Sequence, residues 1–461
     1  MQRPGYSNPT DQLNQITPTQ SKTMEDHSCG SIEHIRRRTL LKMAGLSGLS
    51  WLTPLGTALA RHSEHNPSKR PLSLIVLWLE GAPSQLETFD PHPDTEIAAG
   101  SKAIKSRAPG ILLGEGLVQT AEQMDSISLV RALTSREGDH ERAIYNIKTG
   151  FRMDPTLKHP SIGSIICHQL HTDRDRTVDI PRHISILPGQ MPGRGGYLGD
   201  QFDAFKVNDP VNPISDINAW VDDSEQKSRL KDLSFLDKHF LERNKNNKAV
   251  AGSLGTHQQQ AALKMMSSEQ LEAFNVKDVS ESERLAYGDS PFGRSCLAAL
   301  RLIEKGVRCV EVTLGGWDTH ANNHELQAGR INVLDPAFAN LIKELKKRDL
   351  LETTMVVCGG EFGRTPHVNP LGGRDHWPHG FSMAMAGGGV QGGRVIGETS
   401  PIVSKTETKP KSLLKDSHPV KDIHATILSQ MGIDYEQELD TPIGRPLAVC
   451  EGSPITSLLD V

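Results

Sequence analysis

Two runs of β-forming residues in this 461-residue chain, residues 310–314 and 353–358, each end in a glycine pair that an acidic residue soon follows. The acidic residues are Asp318 and Glu361, and His320 stands two positions after Asp318. Glycine lets the backbone turn sharply where such a strand ends. Carboxylates and imidazoles at one edge of a sheet are ligands for hard or borderline divalent metals. The pattern therefore predicts a metal-centred site at a sheet edge.

The fold class follows from the alternation of strand-like and helix-like segments. Residues 72–79 form a nearly continuous apolar run, typical of a strand buried on both faces of a parallel sheet. The other predicted strands are residues 126–133, 183–187, 308–314, 353–358 and 381–386. Predicted helices include residues 337–348, opened by Asp335 and Pro336, and residues 420–431. This alternation predicts an α/β fold with a doubly wound, mostly parallel sheet, whose ligands bind beyond the carboxyl ends of the strands.

Composition narrows the class of protein. With 36% hydrophobic residues, 23% charged residues and a net charge of -5, the chain suits a globular α/β protein. It has no basic block or Lys/Arg stripe interleaved with aromatic residues, so no nucleic-acid partner is expected. From about residue 215 to 290 the sequence is polar with helical periodicity. We interpret this segment as a helical insertion, either a solvated decoration or a lid, within a single domain spanning residues 61–461.

The N-terminal region resembles an export signal. Arg37 and Arg38 precede an apolar stretch, residues 43–59, and residues 58–60 form a small-residue cleavage signature. The stretch is rich in Gly, Ser and Thr and falls short of the about 20 apolar residues that span a bilayer. We therefore expect residues 1–60 to be a cleaved twin-arginine signal rather than a membrane anchor. This predicts the twin-arginine machinery as an export partner, no stable membrane span, and a periplasmic or extracellular location.

Five motifs in order resemble those of a bacterial secreted family catalogued as domain of unknown function 1501. The motifs occupy residues 78–91, 136–142, 316–320, 360–366 and 375–378. They cover nearly all of the chain beyond residue 60. That family is placed beside the alkaline phosphatase and sulfatase superfamily, so the resemblance implies a metal-dependent α/β fold of that type. It carries no settled activity.

The superfamily resemblance also implies a ligand set. The predicted metal ligands are, in chain order, Glu80, Asp318, His320, Glu361 and His376. Asp318 and His320 are spaced i, i+2, so both side chains point to the same side of an extended segment. Asp90 is the alternative to Glu80 as first carboxylate, and His379 is the alternative last histidine. For Glu361 the competing interpretation is a cap on a following helix.

The chain departs from the superfamily at the nucleophile. Where the superfamily places Ser, Thr or a modified Cys, residues 138–143 contain no hydroxyl or thiol and carry His140 instead. Three interpretations remain open: His140 is a nucleophile or a ligand, a metal-activated water attacks directly, or the fold has kept binding and lost catalysis. Arg142 and Arg364 are predicted clamps for an oxyanion, because guanidinium matches phosphate or sulfate in bidentate geometry. A surface ion pair is the alternative for each arginine.

Two functional hypotheses follow. The first is an exported metal-dependent hydrolase acting on a phosphate or sulfate ester, either a small ester or a sulfated or phosphorylated glycan. The second is a non-catalytic binding or assembly protein on the same fold. A ligand set of oxygen and nitrogen without thiolate leaves Zn, Mn, Mg, Ca and Fe open as the divalent metal.

Overall fold

The computed structural model describes residues 72–170, 177–215, 217–218, 220–244, 256–407 and 410–459. The predicted export signal, residues 1–60, lies outside the described residues. Within the described part of the chain, no helix is both long enough and apolar enough to cross a membrane.

Seventeen strands are present in the described residues. They are β1 (Ser73–Leu79), β2 (Ala103–Lys105), β3 (Leu112–Gly114), β4 (Ile127–Thr134), β5 (His183–Ile186), β6 (Phe205–Val207), β7 (Cys309–Leu314), β8 (Thr354–Gly359), β9 (Gly363–Arg364), β10 (His376–Trp377), β11 (His379–Ala386), β12 (Val395–Ile396), β13 (Glu398–Thr399), β14 (Leu414–Lys415), β15 (His418–Pro419), β16 (Glu438–Leu439) and β17 (Leu447–Ala448). The six predicted strands correspond to β1, β4, β5, β7, β8 and β11, with ends displaced by no more than two residues.

The α-helices of the described residues are α1 (Val118–Glu122), α2 (His140–Thr149), α3 (Ile162–Gln169), α4 (Asp223–Asn244), α5 (Thr256–Met266), α6 (Glu281–Ala286), α7 (Pro291–Glu304), α8 (Asn323–Lys347) and α9 (Val420–Gln430). The predicted helix at residues 420–431 is α9. Helices α4, α5 and α6 occupy the segment predicted to be helical, residues 215–290.

The central sheet has nine strands in the order β12-β4-β11-β8-β1-β7-β5-β6, with β15 also paired to β4. All of its pairings are parallel except the two made by β11, which runs antiparallel to β8 and β4. The carboxyl ends of β4, β8, β1 and β7 therefore meet at one edge. The start of β11 reaches the same edge because that strand runs in the opposite direction.

Helices cover both faces of the sheet, as the continuous apolar strands predict. On β1, Ile75 and Leu77 pack in one buried cluster, and Leu74 and Trp78 pack in another. Successive side chains of a strand point to opposite faces, so these clusters lie on the two sides of the sheet. The first cluster contains buried residues of α7 and α8, and the second contains residues of α2, α3 and α9. The predicted doubly wound α/β architecture is confirmed.

One helix boundary was predicted wrongly. The helix expected to open at Asp335 and Pro336 begins at Asn323, and Pro336 lies inside α8. The Asp335 carboxylate caps a different helix, accepting hydrogen bonds from the backbone N–H groups of Gln119 and Thr120 at 2.9 and 2.7 Å. Burial of residues at helical spacing on both sides of the proline, including Leu334 and Phe338, holds α8 together across the missing N–H.

Candidate metal centre

Four chain segments deliver polar side chains to the carboxyl edge of the sheet. Asp318 and His320 follow β7, and Glu361 follows β8. His140 is the first residue of α2, which begins six residues after β4 ends, and His376 lies on β10 just before β11. The four segments are adjacent in space because β4, β11, β8, β1 and β7 are consecutive in the sheet.

The carboxylate of Asp318 is the meeting point of three imidazoles. Its Oδ1 lies 3.1 Å from His320 Nε2, 3.4 Å from His140 Nε2 and 3.5 Å from His376 Nε2. The Nε2 atoms of His320 and His376 are 3.0 Å apart. Searched across the described residues, His140, Asp318 and His376 form a group whose ligand atoms all lie within 4.8 Å of one another.

The other nitrogen of each imidazole is engaged outside this cluster. His376 Nδ1 lies 2.7 Å from the Gly138 carbonyl oxygen, and His320 Nδ1 lies 2.8 Å from Asp375 Oδ1. His140 Nδ1 lies 2.7 Å from Glu361 Oε1. Each of these oxygens accepts only, so each Nδ1 donates, which assigns the tautomer from the hydrogen-bond network. All three Nε2 atoms then present a lone pair to the centre.

A divalent cation fits this arrangement. Lone pairs of two imidazoles 3.0 Å apart repel one another beside a carboxylate unless a proton or a cation lies between them. Zinc binds imidazole nitrogen at about 2.0–2.1 Å in tetrahedral sites, which places neighbouring donor atoms about 3.3–3.4 Å apart. The three distances from Asp318 Oδ1 and the distance between the Nε2 atoms of His320 and His376, 3.0–3.5 Å, lie around that value. The ligand atoms of His140, Asp318 and His376 lie within 4.8 Å of one another. In addition, His140 Nε2 is buried and has no hydrogen-bond partner.

Neighbouring groups shift the pKa values of His140, Asp318 and His376. The Glu361 hydrogen bond raises the pKa of His140 against the opposing effect of burial, and the Asp318 charge adds to the rise. Burial alone would raise the pKa of Asp318, but the Arg364 guanidinium and the histidines hold it below its ordinary value. Burial lowers the pKa of His376, as does the nearby His140. A metal ion bound at His140 would therefore compete with a proton for Nε2.

Glu361 lies behind His140 rather than among the converging ligand atoms. Its side chain is fully buried, and Oε1 accepts hydrogen bonds from His140 Nδ1 and from the Gly81 N–H at 3.0 Å. No helix follows it, since the next element is the short strand β9, so the helix-cap alternative is wrong. A carboxylate bonded to the outer nitrogen of a ligating histidine fixes the ring orientation and increases its basicity.

The other predicted carboxylates lie elsewhere. Glu80 follows β1, and its Oε1 accepts a hydrogen bond from the Gln190 N–H at 2.8 Å. Among the described contacts, none joins Glu80 to the three imidazoles. Asp90, the alternative, is buried in an ion pair with Arg131 at 3.2 Å. The structure therefore brings Asp318, His320, His376 and His140 together and leaves both candidate first carboxylates outside the cluster.

The two arginines predicted as oxyanion clamps have different surroundings. The Arg364 side chain is fully buried and donates hydrogen bonds to the carbonyl oxygens of Gly81, Ala82 and Arg374 and, at 2.7 Å, to Asp318 Oδ1. These bonds occupy its donors and orient Asp318. Arg142 is exposed on the first turn of α2, and residues two apart on a helix do not share a face, so it points away from the side of His140.

Two contributors to the centre were missed by sequence reasoning. Asp375 orients His320, and its own Oδ1 also accepts a hydrogen bond from Asn369 Nδ2 at 3.2 Å. Phe362 packs against His140 and His376, with ring centroids 5.0 and 4.6 Å away. Asp375 carried a signal, because it directly precedes a predicted ligand. Phe362 carried none beyond its place after Glu361.

Solved structures similar to this chain include alkaline phosphatase from the Antarctic bacterium TAB5, with a TM-score of 0.35, 11% identity and coverage of 79% of this chain and 99% of that one. The PsFucS1 sulfatase from Pseudoalteromonas sp. matches with a TM-score of 0.34 and 11% identity, over 86% of this chain and 72% of that one. The lipoteichoic acid synthase LtaP from Listeria monocytogenes matches with a TM-score of 0.30 and 9% identity, over 80% and 74% of the two chains.

Among curated proteins, none matches this chain. A family model does match it, over residues 72–459, and that range includes every residue of the candidate metal centre described above. The chain therefore belongs to the family described as "Protein of unknown function (DUF1501)".

Proposed function

We propose that this protein is a metal-dependent hydrolase of phosphate or sulfate esters. The observation that carries the proposal is the convergence of three imidazole Nε2 atoms on Asp318 Oδ1, with every Nδ1 engaged by an oxygen on the far side. His140, Asp318, His320 and His376 would hold the ion. A divalent ion bound there would polarise an ester oxygen and lower the pKa of a water molecule at the site.

The protein's own groups would orient the ligands and admit the substrate. Glu361 and Asp375 hold the rings of His140 and His320, and Arg364 holds the Asp318 carboxylate. The side chains of Asp318 and His320 are each 46% exposed, so a bulky ester can reach the centre from solvent. The positive end of the ten-residue helix α2 begins at His140, which favours an anionic ester.

The nucleophile in this proposal is water. Residues 138–143 include no hydroxyl or thiol, so a covalent phospho- or sulfo-enzyme on this segment has no atom to form on. Direct attack by activated water needs none. The same feature favours the alternative, a binding or assembly protein on this fold, which predicts bound metal without turnover.

The export route is part of the proposal. The twin-arginine pair Arg37 and Arg38 and the apolar stretch after it support delivery to the periplasm or the exterior. A fusion of residues 1–60 to a reporter should be exported, and the Arg37→Lys/Arg38→Lys form should remain inside the cell. Export of both forms, or of neither, would contradict this route.

The first test is the metal content of the chain from residue 61 to 461, purified without chelator and measured by plasma mass spectrometry. We expect stoichiometric metal in the wild type and none in the Asp318→Ala/His320→Ala variant. The matched control is Asp278→Ala/His239→Ala, which removes the same chemical groups from exposed positions in the helical segment. Equal metal in the wild type and the Asp318 variant would place the metal elsewhere and overturn the proposal.

The second test is turnover by the metal-loaded protein of aryl phosphate and aryl sulfate esters. We expect one ester class to be hydrolysed and the Asp318→Ala/His320→Ala variant to be inactive. Turnover that survives that substitution would contradict the assigned site. Stoichiometric metal with no turnover of either class would favour the binding protein.

A further inference from the structure

A large cavity adjoins the metal centre and has no part in holding the metal. Its volume is about 920 Å³, near the top of the range of about 300–1,000 Å³ that is usual for ligand sites. Its wall is formed by the end of β4 and the loop after it, the C-terminal end of α2, the start of β11 and the N-terminal end of α9. None of the converging ligands lines it.

The lining of the cavity carries more cations than carboxylates. It includes the cationic side chains of Arg136, Arg152, Lys411 and Lys421, and the only carboxylate among these described lining residues is Glu451. Lys421 lies 3.9 Å from Glu451, and Arg152 is paired with Glu137.

Two of these cations are free. Within the described residues, neither Arg136 nor Lys411 has an ion-pair partner, and both side chains are exposed. Lys411 is also close enough to His379, another lining residue, for its charge to add to the effect of burial in lowering the pKa of that imidazole. Unpaired like charges gathered in one concave site attract anions and raise their local concentration.

The cavity and the metal centre share two chain segments. Thr134, the last residue of β4, pairs with His379, and the Ser135 N–H donates to the Pro378 carbonyl at 2.9 Å. The first of these segments continues to His140, four residues beyond Arg136, and the second comes from His376, three residues before His379. The cavity and the candidate metal centre are therefore built on neighbouring parts of the same two segments.

The uncharged part of the lining suits hydroxyl groups. Thr134, Ser135, Asn146 and Ser417 contribute hydroxyls and an amide to the same cavity. Ser135 Oγ donates to Asn146 Oδ1 at 3.1 Å, and Thr134 Oγ1 donates to the His418 carbonyl oxygen at 3.4 Å, so among these described side chains the Asn146 amide N–H groups and the Ser417 hydroxyl are the groups left for a ligand. Hydroxyl and amide side chains both donate and accept hydrogen bonds, as sugar hydroxyls do. A bare phosphate polymer would need only cations, and a peptide would need apolar or aromatic anchors at the centre of the site.

We propose that this cavity binds an anionic group on a glycan, at a sugar distant from the ester that reaches the metal centre. The substrate class is therefore an acidic glycan with more than one anionic group, sulfate or carboxylate. The interpretation of the cavity as a substrate subsite rests on the proposed hydrolase function. The binding itself is tested without turnover.

The probe is short dextran sulfate, titrated calorimetrically into the protein at physiological ionic strength. The cavity variant is Arg136→Gln/Lys411→Gln, which changes two exposed, unpaired side chains and should fold normally. The matched control is Lys405→Gln/Lys415→Gln, which removes the same charge from two exposed side chains paired with Glu96 and Glu398. Parallel arms use carboxymethyl dextran, neutral dextran and inorganic polyphosphate.

We expect dextran sulfate or carboxymethyl dextran, or both, to bind the wild type and the control equally, and the cavity variant at least about tenfold more weakly, since charged hydrogen bonds are lost. Neutral dextran should not bind. Equal binding by the cavity variant, binding of neutral dextran, or no binding of either anionic dextran overturns the inference. Stronger binding of polyphosphate that the cavity variant loses overturns the assignment to a glycan. Failure of every ester to turn over would contradict the proposed function and leave this binding result standing.

Discussion

His140 Nδ1 lies 2.7 Å from Glu361 Oε1, and this contact determines which nitrogen of the ring faces Asp318. Glu361 is fully buried and is itself held by the Gly81 N–H, so the imidazole has little freedom to rotate. His140 comes from the segment after β4, and Glu361 comes from the segment after β8. Their contact therefore joins two strand exits that are separated by β11 in the sheet.

Glu361→Gln should weaken metal affinity by about 10- to 100-fold while leaving the fold intact, because the neutral amide is a poorer acceptor for the outer nitrogen of His140. Affinity is measured by competition with a chromogenic chelator. Glu398→Gln, a change at an exposed carboxylate paired with Lys415, is the control and should bind metal as the wild type does. Unchanged affinity in the Glu361 variant would show that the ring is oriented by other contacts.

Arg364→Lys should destabilise the protein by about 3 kcal/mol, because an ammonium cannot reach the three carbonyl oxygens and the Asp318 carboxylate that accept hydrogen bonds from the buried guanidinium. The urea midpoint measures this loss. Arg142→Lys, at an exposed position, should leave the midpoint unchanged. A similar midpoint for both variants would mean that Arg364 does not brace this edge of the sheet.

Removing the metal should lower the melting temperature. An ion present at about 100 times its dissociation constant contributes about 2.7 kcal/mol to the free energy of unfolding. Chelator should therefore shift the wild type and leave the Asp318→Ala/His320→Ala variant unaffected in scanning calorimetry. An equal shift in both proteins would indicate a metal bound outside the four side chains.

Lys148 and Glu311 form an ion pair at 3.0 Å beneath the sheet face, with side chains 9% and 3% exposed. Burial raises the pKa of Glu311, but Lys148 and His183 outweigh that effect and lower it to about 2. Lys148→Met or Glu311→Gln alone should cost about 3–5 kcal/mol, because each leaves a buried charge unpaired. The double variant should lose less than the sum of the two in a urea-unfolding cycle. Strict additivity would show that the two charges are not coupled.

His424 is buried on α9, and its Nε2 donates to the Ile147 carbonyl at 2.8 Å. Burial lowers the pKa of His424 to about 4. An unfolded histidine titrates near 6.5, so between these values the unfolded chain binds more protons, and the free energy of unfolding rises with pH. The contribution of neutral, buried His424 to the free energy of unfolding is complete above about pH 6.5 and is lost as pH falls toward about 4.

The measurement is urea unfolding of the wild type and His424→Gln from pH 4 to 8. The amide keeps a donor for Ile147 and does not titrate, so the stability of the wild type should fall relative to the variant as acid is added, by up to about 3 kcal/mol. Parallel curves would mean that His424 keeps its ordinary pKa in the folded protein.

Several parts of the site were predictable from local sequence. The apolar runs before Asp318 and Glu361 mark strands, and the glycines after them mark strand exits, because both signals depend only on neighbouring residues. The same holds for His376, which lies beside Asp375 in a short motif. Pro336 shows the limit of such signals: a local stop signal was overridden by burial of the helix on both sides of it.

The sequence by itself determined the α/β class, the strands and the family, since hydrophobic periodicity and ordered motifs are written along the chain. Only the tertiary structure decided that His140 lies beside Asp318, that Glu361 hydrogen-bonds to His140 and Arg364 to Asp318, and that Glu80 accepts a hydrogen bond from Gln190 instead. These outcomes depend on the order of strands in the sheet and on which side-chain atoms meet across it. Contacts between residues more than 200 positions apart, such as His140 with Glu361, cannot be predicted from the periodicity of the sequence.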